Sequence, residues 1–187
     1  MIKKIVILGS ESTGKSTLCA QLAEYYKTVW VEEYAREYLD TNGVDYTFDN
    51  LLEIAKGQLT LEQRAITGVM STANLSTTEA AHKSNLVFLD TNLVVLKVWC
   101  EFVFDKCHKW ILDQIAENTY DLYLLCDIDI PWVKDELREY PDLSIRKKLY
   151  HHYKDIMVNQ QVPWININGN YEERMQKAIM AINKINN

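Results

Sequence analysis

The 187-residue chain contains no apolar stretch of about 18 residues, the length that a membrane-spanning helix needs. It also lacks a cluster of Lys and Arg, and its formal net charge is −6. Contacts to nucleic-acid phosphates need a basic face, so neither a membrane protein nor a nucleic-acid-binding protein is expected. The sequence shows no internal repeat and no low-complexity tract, and it gives no indication of the oligomeric state.

Cysteine is scarce and scattered. Cys19, Cys100, Cys107 and Cys126 show no CxxC spacing, and two of them lie in apolar stretches, where reduced thiols are usual. The first apolar run stops at Gly9 and is too short for the apolar part of a signal peptide. We therefore expect a cytoplasmic protein that folds as a single domain over residues 1–187 and needs neither disulfides nor structural metal.

Five short apolar runs alternate with helical patterns along the chain. The runs are apolar throughout, which is typical of strands that are covered on both faces. The alternation predicts an α/β fold with a five-stranded, mostly parallel sheet and right-handed crossovers. The predicted strands are Ile5–Leu8, Val29–Val31, Leu86–Leu89, Leu122–Cys126 and Trp164–Ile167.

Two stretches depart from this alternation. Residues 34–84 are too long for a simple connection, so they are predicted to form an inserted sub-region with its own helices. Within it, the Thr-, Ser- and Ala-rich segment Gln63–Glu79 is compatible with one long helix or with two. Residues 131–146 are charged and contain two prolines, which indicates an exposed lid. Near the end, Asn170 and Glu173 have the spacing of a capping box that starts the last helix.

The segment GSESTGKS at residues 9–16 matches the phosphate-binding pattern G-x-x-x-x-G-K-[ST]. It follows a predicted strand and opens a predicted helix, as the mechanism requires. The glycines let backbone N–H groups face a polyphosphate, the lysine reaches the β and γ phosphates, and the serine hydroxyl ligates Mg²⁺. We therefore predict MgATP binding by Gly9, Glu11, Ser12, Thr13, Gly14, Lys15, Ser16 and Thr17.

Such a site also needs a carboxylate near the metal, and Asp90 supplies one at the end of the third predicted strand. The alternative role for Asp90 is to cap the helix that starts near Asn92. The lid offers Arg138 for the transferring phosphoryl group and Arg146 for the nucleotide, because closing arginines stabilise charge and exclude water. Both arginines are also compatible with an ordinary solvated surface.

The segment that follows the second strand decides what receives the phosphoryl group. It lies at the same sheet edge as the phosphate loop, where ligands bind in open α/β sheets. Glu33 is a candidate to accept the proton of a substrate hydroxyl, and Arg36 is a candidate to orient the substrate. Trp30 and Trp132 are candidates to stack on a planar ring. The predicted substrate-binding residues are Trp30, Glu32, Tyr34, Arg36, Asn92 and Trp132.

Four segments in this order carry a family likeness: GSESTGKST at 9–17, EYAREY at 33–38, FLDT at 88–91 and PWVKDELR at 131–138. Together they resemble the ribosylnicotinamide kinase domain of the NadR proteins over nearly the whole chain. The resemblance implies a five-stranded parallel P-loop kinase core with a flexible lid. It implies ATP-dependent phosphorylation of the 5′-hydroxyl of nicotinamide riboside, giving nicotinamide mononucleotide. It places Lys15 and Ser16 at phosphate and Mg²⁺, Asp90 at the metal or the acceptor hydroxyl, and Arg138 in the lid.

Two other functions stay open at this point. One is a kinase for another nucleoside or for a nucleotide. A nucleotide acceptor would need a second phosphate-binding arginine beyond Arg36, and Arg64 is the evident candidate. The other is a regulatory ATPase that has no acceptor.

Overall fold

A computed structural model of the chain describes residues 2–73 and 84–186. In this part of the chain, one parallel sheet has the strand order β2-β3-β1-β4-β5, with helices on both faces. The strands are β1 (Lys3–Leu8), β2 (Val29–Val31), β3 (Leu86–Asp90), β4 (Leu122–Cys126) and β5 (Trp164–Ile167). The helices are α1 (Lys15–Tyr26), α2 (Tyr34–Asn42), α3 (Phe48–Ala73), α4 (Leu93–Phe104), α5 (Lys109–Glu117), α6 (Leu143–Val158) and α7 (Tyr171–Asn186).

The predicted α/β fold with five parallel strands is confirmed. Successive side chains of each strand point to opposite faces of the sheet, and both faces are covered. Val6 and Leu8 of β1 pack with α3 and α4 on one face, whereas Ile5 and Ile7 pack with α1 and α7 on the other. The central strands β3 and β4 are buried along their whole length. This two-sided burial is why these strands read as continuous apolar runs.

The stretch between β2 and β3 contains α2 and α3. Helix α3 continues without a break from Phe48 to Ala73. Of the segment Gln63–Glu79, residues 63–73 therefore belong to one helix, and residues 74–79 lie outside the described residues. None of the described helices is long and apolar enough to cross a lipid bilayer.

The segment predicted as a lid has two structural parts. Residues 127–142 contain neither helix nor strand, and α6 begins at Leu143. The carboxylate of Asp142 caps α6 by accepting hydrogen bonds from the backbone N–H groups of Ser144 and Ile145. Arg146 therefore lies in the first turn of a helix. We use "lid" below for residues 131–142.

The capping box predicted at the start of α7 is confirmed. Asn170 Oδ1 accepts from the Glu173 N–H at 3.0 Å, and Glu173 Oε2 accepts from the Asn170 N–H at 2.8 Å. Two otherwise free backbone donors are satisfied in this way. The box fixes the start of α7 next to the carboxyl ends of β4 and β5.

Candidate active site

The phosphate-binding loop joins the end of β1 to the start of α1. Gly9 has a φ of 142°, and a Cβ at this position would lie 2.7 Å from the carbonyl oxygen of Cys126 on β4. A side chain cannot be accommodated there, so the pattern requires glycine. The Thr13 hydroxyl donates to the Ser10 carbonyl at 2.8 Å and closes the loop on itself. The loop therefore has a fixed shape that depends on two neighbouring strands.

Lys15 lies at the start of α1 and is 9% exposed. Its Nζ donates to the Ser10 carbonyl at 3.0 Å, so the ammonium group lies against the loop. The first turn of α1 contains no acidic residue. The positive end of the helix dipole and Lys15 therefore act together on whatever anion occupies the loop.

Arg174 on α7 supports the same loop from behind. It is 2% exposed, and its Nη1 donates to the Thr13 carbonyl at 2.9 Å. Its Nε donates to the Gly169 carbonyl at 2.8 Å, and its guanidinium pairs with the carboxylate of Asp129. The sequence analysis missed Arg174 because 161 residues separate it from Thr13 and it occupies an ordinary helical position.

Asp90 lies at the end of β3 and faces the phosphate loop. Its carboxyl is 1% exposed, and Oδ1 has no hydrogen-bond partner among the described residues. Burial, followed by the nearby charge of Glu33, raises the pKa of Asp90 to about 6, while Lys15 and the Ser16 hydroxyl act in the opposite direction. An unpartnered buried carboxylate oxygen beside a serine hydroxyl is a donor set that suits Mg²⁺. Asn92, by contrast, caps α4 by accepting from the Val94 N–H at 3.1 Å.

The acceptor side begins directly after β2. Glu33 is the N-cap residue of α2, but its side chain makes no capping hydrogen bond. Its carboxylate therefore remains available to the site, on the side from which it acts on Asp90. Arg36 is paired with Asp135 of the lid, with an Nη2 to Oδ2 distance of 3.0 Å. The acceptor segment and the lid are thus in direct contact.

A single cavity of about 980 Å³ joins the phosphate loop to this acceptor segment. The lining includes most of the residues that the sequence predicts for the site: Gly9, Glu11, Ser12, Thr13, Gly14, Lys15, Ser16, Thr17, Trp30, Glu32, Glu33, Tyr34, Arg36, Asp90 and Arg138. Apolar side chains of α3 and α4 complete the acceptor end. The sequence analysis assigned none of these residues to the site: Leu51, Ile54, Val95, Leu96 and Trp99.

Three predicted site residues are not part of the cavity lining in the described structure: Asn92, Trp132 and Arg146. The Asn92 side chain is used as the cap of α4. Trp132 lies against Arg146, with 5.3 Å between the guanidinium carbon and the ring centroid. Arg146 is 4% exposed, donates to the Ser12 carbonyl at 3.4 Å and has an Nε without a partner among the described residues. It therefore lies behind the phosphate loop, next to the nucleotide end of the site.

The lid is closed over the phosphate loop. The Ser12 hydroxyl accepts from the Val133 N–H at 2.8 Å. Glu11 accepts from the backbone N–H groups of Glu139 at 3.0 Å and Tyr140 at 3.2 Å. Burial raises the pKa of Glu11, and these backbone hydrogen bonds oppose that effect. Glu11 therefore acts as a latch between loop and lid.

Glu11→Ala is expected to loosen the lid, because both backbone hydrogen bonds to the carboxylate are lost. At about 1 kcal/mol each, the open population rises roughly tenfold or more. Limited trypsin digestion at Lys134 and Arg138 measures this opening, and cleavage is expected to accelerate by a similar factor. The exposed Glu24→Ala on α1 is the matched control. Equal cleavage rates for the two variants would show that Glu11 does not hold the lid.

Solved structures with the same fold include several P-loop kinases. A NadR protein in complex with NR superposes with a TM-score of 0.71 and 23% identity, covering 98% of this chain and 49% of that one. Thymidylate kinase from Ehrlichia chaffeensis gives a TM-score of 0.62 and 13% identity, covering 96% and 98%. Deoxyadenosine kinase from M. mycoides gives 0.61 and 12%, covering 97% and 99%. These likenesses agree with the sheet order and helix placement described above.

The curated relatives of the chain are also NadR proteins. The trifunctional NAD biosynthesis/regulator proteins NadR of Escherichia coli and Salmonella typhimurium are each 23% identical over 189 residues. The match takes in 98% of this chain but 43% of each relative, so the chain spans less than half of their length. A family model for AAA domains matches residues 4–174, which include the phosphate loop, the sheet, the acceptor segment and the lid. The chain therefore belongs to the AAA_28 family of AAA domains.

Proposed function

We propose that this protein is an ATP-dependent phosphotransferase whose acceptor is the hydroxyl of a nucleoside, with nicotinamide riboside as the leading substrate. The observation that carries the proposal is the shared cavity, in which Lys15 and Asp90 face Glu33 across the space between loop and acceptor wall. A regulatory ATPase has no need of an acceptor chamber beside the phosphate loop. The likeness to NadR over 98% of the chain supports the choice of substrate.

The charges around the acceptor end favour a nucleoside over a nucleotide. In the described structure, Arg36 is the one cation of the segment from β2 through α2 that lines the cavity, and it is paired with Asp135. Arg64, the second arginine that a nucleotide acceptor would need, is exposed on α3 and does not line the cavity. Four carboxylates of this segment face the chamber: Glu32, Glu33, Glu37 and Asp40. They repel a phosphate monoester and attract the positively charged pyridinium ring of nicotinamide riboside.

The side chains divide the reaction between them. Glu33 accepts the proton of the acceptor hydroxyl as its oxygen forms a bond to the γ phosphorus and the bond to ADP breaks. Lys15 and the backbone N–H groups of the loop hold the phosphates and neutralise the charge on the departing ADP. Arg138 of the lid lies 3.5 Å from the Ser12 hydroxyl, and we assign it the role of stabilising the transferring group. The closed lid excludes water and so favours transfer over hydrolysis.

The Ser16 hydroxyl and Asp90 would hold Mg²⁺, because Oδ1 of Asp90 is buried and has no hydrogen-bond partner among the described residues. When bound, the ion would neutralise charge on the phosphates. Asp90 and Glu33 are close enough for their charges to interact, but Asp90 lies on the side of Lys15 and Ser16. We therefore assign Asp90 to the metal and Glu33 to the acceptor proton.

The test is an ADP-release assay with MgATP and a panel of acceptors at equal concentration. Nicotinamide riboside is expected to stimulate ADP release at least tenfold over MgATP alone, because a correctly placed acceptor replaces poorly positioned water. Mass spectrometry of the product should show one added phosphoryl group. The panel also contains adenosine, deoxyadenosine, thymidine and thymidine monophosphate.

Each other result has a defined meaning. Stimulation by a different nucleoside alone would reject nicotinamide riboside but keep the enzyme class. Stimulation only by thymidine monophosphate would contradict the argument from the acidic acceptor wall. Slow ADP release that no acceptor changes would favour the regulatory ATPase and overturn the proposal.

A further inference from the structure

A side chain from another helix holds the turn that presents Glu33. Gln58, in the middle of α3, is 2% exposed. Its Oε1 accepts from the Tyr34 N–H at 2.8 Å, and its Nε2 donates to the Glu32 carbonyl at 3.3 Å. These two backbone groups lie on either side of Glu33. A single buried amide therefore grips the chain directly before and directly after the acceptor-side carboxylate.

Gln58 also satisfies a backbone donor at the start of α2. Tyr34 is the first residue of α2, and its N–H is one of the donors that a helix start leaves without an internal partner. An N-cap side chain reaches the N–H groups of the second and third helical residues, so it does not serve the first, and Gln58 supplies that acceptor. The Glu33 carboxylate makes no capping bond of its own, and Glu33 lines the cavity.

The neighbouring residue Gly57 leaves room for the ring of Tyr34. A Cβ on Gly57 would lie 2.0 Å from a ring carbon of Tyr34, so the tyrosine ring packs directly on the helix backbone. Glycine within a helix costs about 1 kcal/mol relative to alanine, and the close approach of Tyr34 accounts for it here. At Gly68, in the same helix, no described atom outside the helix backbone lies within 4 Å of the corresponding position. Among the described residues, the ring of Tyr34 therefore packs on Gly57 and not on Gly68.

From this geometry we infer that Gln58 is a positioning residue, which sets the place of Glu33 by holding the Glu32–Tyr34 backbone. The inference rests on the proposed function, because it concerns the acceptor step. Gln58 does not itself line the cavity in the described structure, so it acts through Glu33 and is not catalytic. ATP binds at the other end of the cavity and is not affected.

The first test compares Gln58→Met with Gln63→Met. Gln63 lies on the same helix α3 but is exposed. Misplacing Glu33 by an ångström is expected to lower kcat for the acceptor about 10- to 100-fold. The KM for ATP should stay within about twofold of the wild-type value, since the interactions of the loop are unchanged. Gln63→Met should match the wild type in both constants. A Gln58→Met enzyme with wild-type kcat would overturn the inference.

A double-mutant cycle separates positioning from general damage to the fold. If Gln58 acts through Glu33, the double variant Glu33→Gln with Gln58→Met should be no slower than Glu33→Gln alone. A merely structural role predicts the same additional loss in both backgrounds, and that outcome would also overturn the inference. The cycle needs only the relative kcat values of four proteins.

Gly57→Ala provides a second route in case Gln58→Met does not fold. The added methyl group must displace the Tyr34 ring, so the KM for the acceptor is expected to rise roughly tenfold. Gly68→Ala should leave the kinetics unchanged. Identical kinetics for the two alanine variants would show that the packing of the Tyr34 ring on Gly57 does not position the acceptor. A wild-type chain that phosphorylates no acceptor overturns the proposed function together with this inference, whereas an active wild type with unaffected variants overturns the inference alone.

Discussion

Lys15→Ala is expected to reduce ADP release by at least about a thousandfold, because the single ammonium group of the phosphate loop disappears. The fold should survive, since within the described structure the Nζ of Lys15 donates one hydrogen bond, to the Ser10 carbonyl. Its loss costs only about 1 kcal/mol. Steady-state ADP release measures the first effect, and thermal unfolding followed by circular dichroism measures the second.

Lys147→Ala is the matched control for this experiment, because Lys147 is exposed on α6 and distant from the loop in sequence. It should keep both the wild-type rate and the wild-type unfolding temperature. Substantial turnover by Lys15→Ala would mean that the loop is not the phosphate site. A large fall in its unfolding temperature would instead show that Lys15 is needed for the fold.

Asp90→Asn is expected to lower the rate by about three orders of magnitude or more while making the protein more stable at pH 8. The loss of rate follows from the loss of the metal-binding carboxylate. The gain in stability follows from its burial, which together with the charge of Glu33 raises the pKa of Asp90 to about 6. At pH 8 the folded protein carries a charge that its surroundings disfavour, and asparagine removes it.

The sign of the pH dependence can be derived from the same pKa. The folded state binds the Asp90 proton more tightly than the unfolded chain, whose pKa is near 3.8. The free energy of unfolding therefore falls as the pH rises from 3.8 to about 6, and the loss is complete above that range. The stabilisation by Asp90→Asn should be about 1 to 3 kcal/mol at pH 8 and should vanish near pH 3.5.

Urea unfolding at several pH values in the presence of EDTA tests this dependence without competition from a bound metal. The exposed Asp45→Asn in the connection between α2 and α3 serves as the control. If Asp90 were needed as a helix cap, the substitution would destabilise the protein at every pH and leave the rate largely intact. The structure gives that capping role to Asn92.

Much of the fold was accessible from the sequence because its strands are covered on both sides. Burial on two faces produces runs such as Leu122–Cys126, which are easily distinguished from the helical stripes between them. The phosphate loop and the capping box at Asn170 were equally readable, because each depends on residues close together in the chain. Patterns of this kind can be recognised from the sequence without knowledge of the tertiary structure.

The supporting residues of the site were not accessible in the same way. Gln58 reads as an ordinary helical residue, and its role arises only because the Tyr34 backbone, 24 residues away, lies beside it. Arg174 and Trp99 were missed for the same reason, since their partners are brought to them by the sheet. Asn92 and Trp132 were predicted to bind the substrate but do not line the cavity in the described structure, because Asn92 caps α4 and Trp132 packs against Arg146. Neither contact can be inferred from the sequence alone.

The position of β1 also has a consequence for biosynthesis. This strand precedes the other four along the chain, yet it lies at the centre of the sheet, where Lys3 pairs with Leu86 of β3 and Ile5 pairs with Leu122 of β4. The loop that follows it also rests against the backbone of Cys126. In a nascent chain, the two edges of β1 therefore stay unpaired until β3 and β4 have been translated, and the phosphate loop lacks its contact with Cys126 until the same point.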